Sequence, residues 1–342
     1  MQRLSVTMQT VAQHAGVSRA TVSRVLSGAD YVEPASKAKV LAAVEELGYV
    51  RNAAASQLAM RGSNLVGLLL RDAINPAYAH LQDHLLQEAH AHDMFVVTAS
   101  TGRMDPACVK LGEVSVLDKL IQLRPAGLIV SSGLVPSDSI VPLARQIPTI
   151  VVPRPDPCEQ LHVIGYDEVA DGRIIAEAVL RAGHRHVAVT LLAKEVSATE
   201  RLRAQAMSET LQAAGVTVST IADPVVLHDH AALVRLLKDK LIPAGVTALM
   251  FTNDARAIDF LIMAEQLGLH IPEECSVTGF DGIGQAVALS GLTTVRNPLD
   301  TVAKQAVAVM GQLLAGNIPA EPVRELYEGT LIAGRTLAQC SA

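Results

Sequence analysis

The stretch Ser18 to Leu26, SRATVSRVL, combines two arginines and three hydroxyl side chains with apolar residues at helical spacing. Val22, Val25 and Leu26 would face a core. The opposite side of this helix would carry Arg19, Ala20, Ser23 and Arg24. Arginine can donate two hydrogen bonds to one guanine, and hydroxyl groups suit phosphates. The stretch is typical of a helix that reads DNA, although a solvated helix of a small bundle would show a similar pattern.

The residues around this stretch predict two further helices. Thr7 can cap a helix with Val11, Ala12 and Ala15 on one side, and Gly16 then provides the conformational freedom for a tight turn. Ser18 caps the second helix and Gly28 ends it. A third helix begins with Pro34 in its first turn and places Val40, Val44 and Leu47 toward the core. Two short helices joined by a glycine turn indicate a helix-turn-helix unit.

Charge separates this N-terminal part from the rest of the chain. Seven basic and four acidic residues occur up to Gly62, a net charge of +3, whereas the whole chain carries −6 and its remainder therefore −9. A basic head on an acidic body suggests that only the head binds a polyanion.

From about Asn64 the pattern changes to apolar strands that alternate with amphipathic helices. Strands are predicted at NLVGLLL, MFVVTAS, GLIVSS, TIVVP, HVIGYD, HVAVTLL, TALMFT and CSVTGFD, and helices at AYAHLQDHLLQEAHAHD, through Leu117, and at 169–181, 203–213, 255–267 and 299–315. Such alternation predicts parallel sheets with helices on both faces, and the length suggests two of them. Residues 51–63, RNAAASQLAMRGS, are rich in alanine but too few to hold a helix alone in water. We expect this linker to fold only when something supports it.

Other features narrow the class of protein. The four cysteines, Cys108, Cys158, Cys275 and Cys340, have no ligand spacing, which fits a reducing compartment. Neither a membrane-spanning run nor a signal-peptide core is evident, so we expect a cytoplasmic protein without a membrane partner. Aromatic residues make up only 3% of the chain, which argues against a pocket of stacked rings.

The motifs AGVS, TVSRVL, ELGY and the spacing Asn52, Ala55, Leu58 occur in register, and together they resemble the LacI/GalR (lactose/galactose repressor) family of bacterial transcriptional regulators. The resemblance extends over nearly the whole chain. It implies an α/β protein with an N-terminal all-α helix-turn-helix head and a periplasmic-binding-protein-like core of two doubly wound parallel-sheet subdomains. The implied division is 1–50 for the DNA-binding domain, 51–63 for the hinge and 64–342 for the core. Within the core, the N-subdomain comprises 64–163 and 296–327, and the C-subdomain comprises 164–295 and 328–342.

The same resemblance assigns the DNA-contacting positions. Arg19, Ala20 and Arg24 match the specificity positions of the recognition helix, and Leu58 resembles a leucine that inserts into the minor groove at the operator centre. The full implied set is Thr7, Ser18, Arg19, Ala20, Thr21, Ser23, Arg24, Ser27, Asn52, Ala55 and Leu58. Arg51 stands where the family usually has proline, which makes the start of the hinge helix less rigid.

In the core, the resemblance places a small-molecule effector at the carboxyl ends of the strands. The implied ligand-binding residues are Tyr78, Arg203, Asn253, Asp254 and Asp281. Arg203 and Asp281 could alternatively form a salt bridge that ties loops together, without excluding ligand contact. Ala206, Met207 and Gly282 depart from the common pattern. We read Met207 as an adaptable apolar wall, which makes a ring-stacked hexose less favourable than a pentose, a nucleoside or a sugar acid.

Weaker signals point to other chemistry. His80 and His84 lie one helical turn apart, but the zinc-protease glutamate is replaced by Leu81 and no third ligand is evident. The sequence GFDGIG does not fit a dinucleotide-binding motif, so no metal and no cofactor is expected. The sequence also lacks a nucleophile motif or paired catalytic carboxylates, so we expect a protein that is not an enzyme.

We therefore expect a regulator, most simply a repressor, that binds a pseudopalindromic operator in double-stranded DNA as a homodimer and responds to a small metabolite. The chain has no leucine-repeat tail of the kind that makes a tetramer. The alternative is a cytosolic sugar- or nucleoside-binding protein with a vestigial head.

Overall fold

The computed structural model describes residues 6–26, 32–49, 64–72, 74–100, 106–193 and 196–340, without the side chains of 106–111. Four of the residues expected to contact DNA lie outside these ranges: Ser27, Asn52, Ala55 and Leu58. The chain divides into two compact units, a head within Met1–Ser63 and a core of Asn64–Ala342.

The described part of the head contains three helices, α1 (Met8–Ala15), α2 (Arg19–Leu26) and α3 (Pro34–Leu47). Their buried side chains form one small core that includes Val11, Val22 and Val40, each with no exposed surface. The predicted inward faces of α1 and α2 are confirmed, because Val25 is also buried and Leu26 packs against the same core.

Caps explain why these helices begin and end where they do. Thr7 accepts a hydrogen bond from the Thr10 amide at 3.2 Å, as the first turn of α1 requires. Gly16 ends α1 in the left-handed conformation with φ 64°, which favours glycine. Ser18 accepts from the Thr21 amide at 3.1 Å and so caps α2. The predicted helix-turn-helix geometry is therefore encoded locally.

The core contains two parallel sheets. The first has six strands in the order β11, β5, β4, β3, β1, β2. These strands are β1 (Leu65–Leu70), β2 (Phe95–Ser100), β3 (Gly127–Ser131), β4 (Thr149–Val151), β5 (His162–Tyr166) and β11 (Arg324–Tyr327). Its helices are α4 (Pro76–Ala91), α5 (Pro106–Gln122), α6 (Ser137–Ala144) and α13 (Leu299–Leu314). Helices α4 and α13 pack on one face and α5 and α6 on the other.

The second sheet has the strand order β7, β6, β8, β9. These strands are β6 (His186–Thr190), β7 (Thr217–Ile221), β8 (Ala248–Met250) and β9 (Ser276–Thr278). On one face lie α7 (Glu168–Arg181) and α8 (Ala198–Ala213). The other helical segments of this half are α9 (Pro224–His228), α10 (His230–Leu236), a π-helical turn (Leu237–Leu241), α11 (Asp254–Gln266) and α12 (Gln285–Ser290). Doubly wound sheets, as predicted, thus form both halves.

The two halves of the core are joined by crossing segments. The described chain crosses after β5, between β10 (Thr294–Arg296) and α13, and between β11 and β12 (Thr330–Ile332). Strands β10 and β12 pair antiparallel beside the second sheet. Because two of these crossings leave the carboxyl ends of β5 and β11, they lie next to the edge where such sheets bind ligands.

The sequence reading missed several short elements. Helices α6, α9, α10 and α12 and strands β7, β10, β11 and β12 were not predicted. They have between 3 and 8 residues, too few for a periodic pattern to stand out. None of the helices in the described ranges has the length and apolar character needed to cross a membrane.

Gly172 brings α7 close to α8. A Cβ at this position would lie 2.7 Å from the Ala206 Cβ and 2.9 Å from the Arg203 carbonyl oxygen. A Cβ on Gly311, near the end of α13, would meet only the flexible end of Met94 at 3.4 Å. Replacing each glycine by alanine therefore tests the same change at a crowded helix contact, Gly172, and at an open helix position, Gly311.

We expect Gly172→Ala to lower the free energy of unfolding by about 1–3 kcal/mol, because overpacking separates the two helices. Gly311→Ala should raise it by up to about 1 kcal/mol, because alanine is the better helix former. Urea denaturation measures both. Equal effects of the two substitutions would show that α7 and α8 do not require this close approach.

Candidate functional site

The outward side of α2 forms a polar surface on the head. Arg19, Ala20, Ser23 and Arg24 are exposed, whereas Val22 and Val25 of the same helix are buried. Ser18 is also exposed, and its hydroxyl lies 2.8 Å from that of Thr21. The helix N-terminus with its capping hydroxyls is an arrangement that suits a phosphate group.

Thr7 lies at the start of α1 and is exposed as well, with its hydroxyl 2.9 Å from that of Thr10. The predicted DNA-contacting residues that the structure describes are therefore all on the surface or, for Thr21, partly so. The structure does not describe the other four.

The core contains a cavity of about 370 Å³ at the carboxyl ends of its strands. Four of the five predicted ligand-binding residues line it: Tyr78, Arg203, Asn253 and Asp281. Tyr78 comes from α4 of the first half, and Arg203 comes from α8 of the second half. The cavity is therefore built from both halves of the core.

Arg203 is held by two carboxylates. Its Nε contacts Glu168 Oε2, its second terminal nitrogen donates to Glu168 Oε1 at 3.1 Å, and its first donates to Asp281 Oδ1 at 2.9 Å. It also donates to the Thr252 carbonyl at 3.1 Å, and its guanidinium lies 4.1 Å from the centre of the Phe280 ring. Burial lowers the pKa of Arg203, but Glu168 and Asp281 outweigh burial and raise it above its ordinary value. Arg203 thus forms the salt bridge with Asp281 that the sequence allowed as an alternative, and it also lines the cavity.

Asp281 links this ion pair to a crossing segment. Its carboxylate accepts from Asn253 Nδ2 at 3.0 Å and from Asn297 Nδ2 at 3.2 Å. Its backbone donates to the Val295 carbonyl at 3.0 Å and accepts from the Asn297 amide at 3.0 Å. Asp281 has φ 118°, a conformation that costs free energy in a non-glycine residue and persists only where the surroundings enforce it. Its side chain therefore occupies a fixed position in the cavity wall.

Asp254 is placed differently from the other predicted ligand residues. Its Oδ2 accepts from the Gly282 amide at 2.6 Å and its Oδ1 accepts from the Thr294 hydroxyl at 2.8 Å. It lines a separate, mainly apolar cavity beside α12 and not the cavity that contains Arg203. In this structure Asp254 holds the turn after β9, and burial raises its pKa to about 7.

The structure corrects the interpretation of two residues, Met207 and Gly282, that depart from the common family pattern. Met207 is fully buried in the core between α8 and the second sheet, so it is not a wall of the ligand cavity. A Cβ on Gly282 would lie 2.3 Å from the Arg296 Cα, which explains a glycine after Asp281 by packing rather than by ligand choice. The argument against a ring-stacked ligand from Met207 therefore does not hold.

The cavity also contains charged and polar residues that the sequence reading missed. They include Arg71, Arg154, Tyr166, Glu168, Glu200, Arg256 and Asn297. Arg71 and Glu168 each follow closely after a parallel strand, so the rule that ligands bind at the carboxyl ends of such strands could have found them. In the described ranges, no group of three or more histidine, cysteine or acidic residues is placed to hold a metal ion.

Replacing Arg203 should destabilise the core strongly. Arg203→Met leaves Glu168 and Asp281 buried without their counter-charge, so we expect the free energy of unfolding to fall by about 3–5 kcal/mol. Arg256→Met is the matched control, because the Arg256 and Glu200 side chains are more exposed, at 23% and 14%. Denaturant titration at neutral pH measures both, and a loss below 1 kcal/mol for Arg203→Met would contradict a structural role.

Asp171 makes core stability depend on pH. It is fully buried on α7, its Oδ1 accepts from the Gly329 amide at 2.6 Å, and its Oδ2 has no hydrogen-bond partner within the described residues. Burial raises the pKa of this carboxyl from 3.8 to about 7. The folded protein therefore binds a proton at Asp171 that the unfolded chain releases, so the contribution of this group to stability falls as pH rises from about 4 to 7.

We expect Asp171→Asn to reduce this pH dependence by up to about 1 kcal/mol per pH unit between pH 5 and 7. An amide keeps the oxygen that accepts from Gly329. Asp300→Asn, on the exposed first turn of α13, is the control. Urea denaturation between pH 5 and 8 gives the slopes, and identical slopes for both variants would refute the assignment.

Comparison with known proteins supports the same two-part organisation. Residues 7–52 match the lacI family of bacterial regulatory proteins, and residues 176–337 match a periplasmic binding protein-like domain. The transcriptional regulator GalR of Salmonella typhimurium (strain SL1344) is 28% identical over 331 residues, which cover 95% of this chain and 94% of GalR.

Two solved structures resemble nearly the entire chain. The lac repressor dimer bound to operator and the anti-inducer ONPF matches with a TM-score of 0.78 and 23% identity, covering 97% of this chain and 99% of that one. The complex of the regulator CelR with cellobiose matches with a TM-score of 0.65 and 25% identity, covering 96% and 99%. The chain is therefore similar over nearly its whole length to the transcriptional regulator GalR, and its residues 7–52 match the lacI family of bacterial regulatory proteins.

Proposed function

We propose that this protein binds operator DNA as a homodimer and changes its occupancy of the operator when a small molecule enters the core cavity. The observation that carries the proposal is the two-sided character of α2. Its apolar side is buried in the head, whereas Arg19, Ala20, Ser23 and Arg24 stand on the surface.

Base recognition would come from the first turns of α2. Arg19 and Ala20 open the helix, and Arg24 lies further along the same side. In a helix-turn-helix protein the start of the second helix meets base edges, and an arginine there can hold guanine O6 and N7. Ser18, Thr21, Ser23 and Thr7 would contact phosphates, which fix the register without reading sequence. The hinge residues Asn52, Ala55 and Leu58, with Ser27, remain part of this proposal.

A dimer follows from this way of reading DNA. One head neutralises few phosphates and reads few base pairs, whereas two heads related by a two-fold axis match two halves of a pseudopalindrome. Such a regulator would act in the cytoplasm, where bacterial DNA lies. We propose repression as the outcome, because a protein bound at an operator blocks other proteins from that DNA.

The cavity of the core would hold the effector. Tyr78, Arg203, Asn253 and Asp281 line it, and Asn253 and Asp281 offer the mixture of donors and acceptors that neighbouring hydroxyl groups require. Because both halves of the core contribute, a ligand that binds both would favour their closed arrangement. A coupling of about 1–3 kcal/mol between cavity and head would then change operator occupancy severalfold or more.

Arg19→Ala should relax base preference at one position of each half-site in the DNA sequences that the protein selects from a random pool. The best sequence should lose about 1–3 kcal/mol of binding free energy. Lys39→Ala is the matched control, because it removes the same charge from an exposed position on α3. It should leave the selected sequence unchanged.

The same selection tests the proposed function itself. Wild-type affinity for the selected DNA should fall steeply with salt, because phosphate contacts release counterions. A wild-type protein that enriches no sequence would overturn the DNA-binding proposal. An unchanged sequence logo for Arg19→Ala would instead overturn the assignment of Arg19 to a base.

A further inference from the structure

Arg71 reaches from the first half of the core to the second. It follows β1 directly, and its backbone amide donates to the Ser131 carbonyl at 3.1 Å, which attaches it to the end of β3. One terminal nitrogen of its guanidinium donates to the Val196 carbonyl at 2.5 Å, on the segment before α8. Both residues line the cavity. This hydrogen bond therefore joins the two walls at a point outside the segments where the chain crosses between the halves.

The carbonyl that accepts this hydrogen bond belongs to a tight turn at the start of α8. The amides of Val196 and Ser197 donate to the Ala193 carbonyl at 2.9 and 3.1 Å, and Ser197 caps α8. The Val196 side chain packs against the hydrophobic core of the second half. Because α8 carries Arg203, Arg71 holds the helix that supplies the central ion pair of the cavity.

The first half supports the guanidinium of Arg71 from the other side. A Cβ on Gly133 would lie 3.6 Å from Arg71 Nη1, so the loop after β3 lies against this end of the side chain. Burial raises the pKa of Glu113 on α5, and the nearby Arg71 acts in the opposite direction. Arg71 therefore has packing and electrostatic support within its own half, and the hydrogen bond to Val196 adds a contact with the other half.

A like charge opposes this contact. Arg256 of α11 lines the opposite wall, where it pairs with Glu200. Burial lowers the pKa of Arg256 to about 10, and Arg71 contributes in the same direction, against the effect of Asp281. Closing the cavity brings the two guanidinium groups together, and like charges repel. The hydrogen bond from Arg71 to Val196 is therefore formed against an electrostatic cost.

We propose that Arg71 is a latch that holds the two walls of the cavity together, and that the cavity opens when its guanidinium leaves the Val196 carbonyl. Arg71 is a positioning residue in this role, because it acts through the position of α8. The latch closes the cavity with groups of the protein alone, so it sets how often the empty core opens. The latch itself does not depend on the proposed function, whereas its control over the entry of an effector does.

Hydroxyl-radical footprinting of the full-length protein without added ligand tests the latch. Tyr166 lines the cavity and is only 2% exposed, so its oxidation rate reports opening. Tyr327, on β11 and outside the cavity lining, is the internal reference. In Arg71→Met we expect the ratio of the two rates to rise about threefold or more, because losing a hydrogen bond from a charged donor shifts an equilibrium about tenfold. Methionine keeps much of the side-chain length, so the substitution leaves little space behind.

Two further variants separate the latch from general damage. Arg71→Lys should give an intermediate ratio, because an ammonium group keeps a charged donor but loses the planar fork. Arg145→Met is the matched control, because Arg145 is exposed after α6 and donates to the Gln160 side chain at 3.1 Å within the first half. It should leave the ratio unchanged. Solution scattering should show a larger radius of gyration for Arg71→Met than for Arg145→Met.

An unchanged ratio of Tyr166 to Tyr327 oxidation in Arg71→Met would overturn the inference, as would an equal rise in Arg145→Met. Unfolding exposes both tyrosines, so a less stable variant does not imitate an open cavity. The assay uses neither DNA nor effector, and sequence-specific DNA binding is measured separately on the same preparations. A latch present in a protein that selects no DNA sequence would refute only the proposed function. A protein that binds its selected DNA but shows no latch would refute only this inference.

Discussion

Arg203 is buried between Glu168 and Asp281. Its positive charge holds together the segments of the core that meet at this point. A guanidinium in such a site is tolerated only when carboxylates and carbonyls satisfy its donors. Glu168 begins α7, Asp281 follows β9, and Thr252 follows β8, so one side chain fixes three separate segments. The close approach of α7 to α8 at Gly172 is what brings Arg203 within reach of Glu168. The shape of the cavity thus depends on an ion pair that also forms part of its wall.

Asp281 extends this network to the segments that join the two halves of the core. Its hydrogen bonds with Asn297 and Val295 attach the crossing after β10 to the second half, and Asp171 holds the crossing at Gly329 in the same way. Buried carboxyl groups are therefore concentrated where the halves are joined. A ligand that contacts Arg203, Asp281 or Asn297 acts directly on these joints. This proximity gives the cavity a physical route to alter the relation between the halves, as an allosteric site requires.

The head follows a simpler principle. Three short helices share a core of small side chains, and Thr7, Gly16 and Ser18 fix their ends. The outer side of α2 is polar and exposed, whereas its inner side belongs to this core. The acidic body and the basic head also keep the two functions apart, because only the head attracts a polyanion.

The sequence by itself determined the three head helices, the strands β1 to β6, β8 and β9 and most of the long core helices, because caps and hydrophobic periodicity are local signals. The family resemblance identified Tyr78, Arg203, Asn253 and Asp281 as ligand-binding residues. The fold places these four side chains around one cavity. Only the tertiary structure decided that the Asp254 carboxylate accepts from the Gly282 amide, that Met207 is buried in the core and that Arg71, Arg154 and Tyr166 line the same cavity. The physical reason is that strand order and helix packing set the direction of each side chain, and these depend on contacts between residues far apart in the chain.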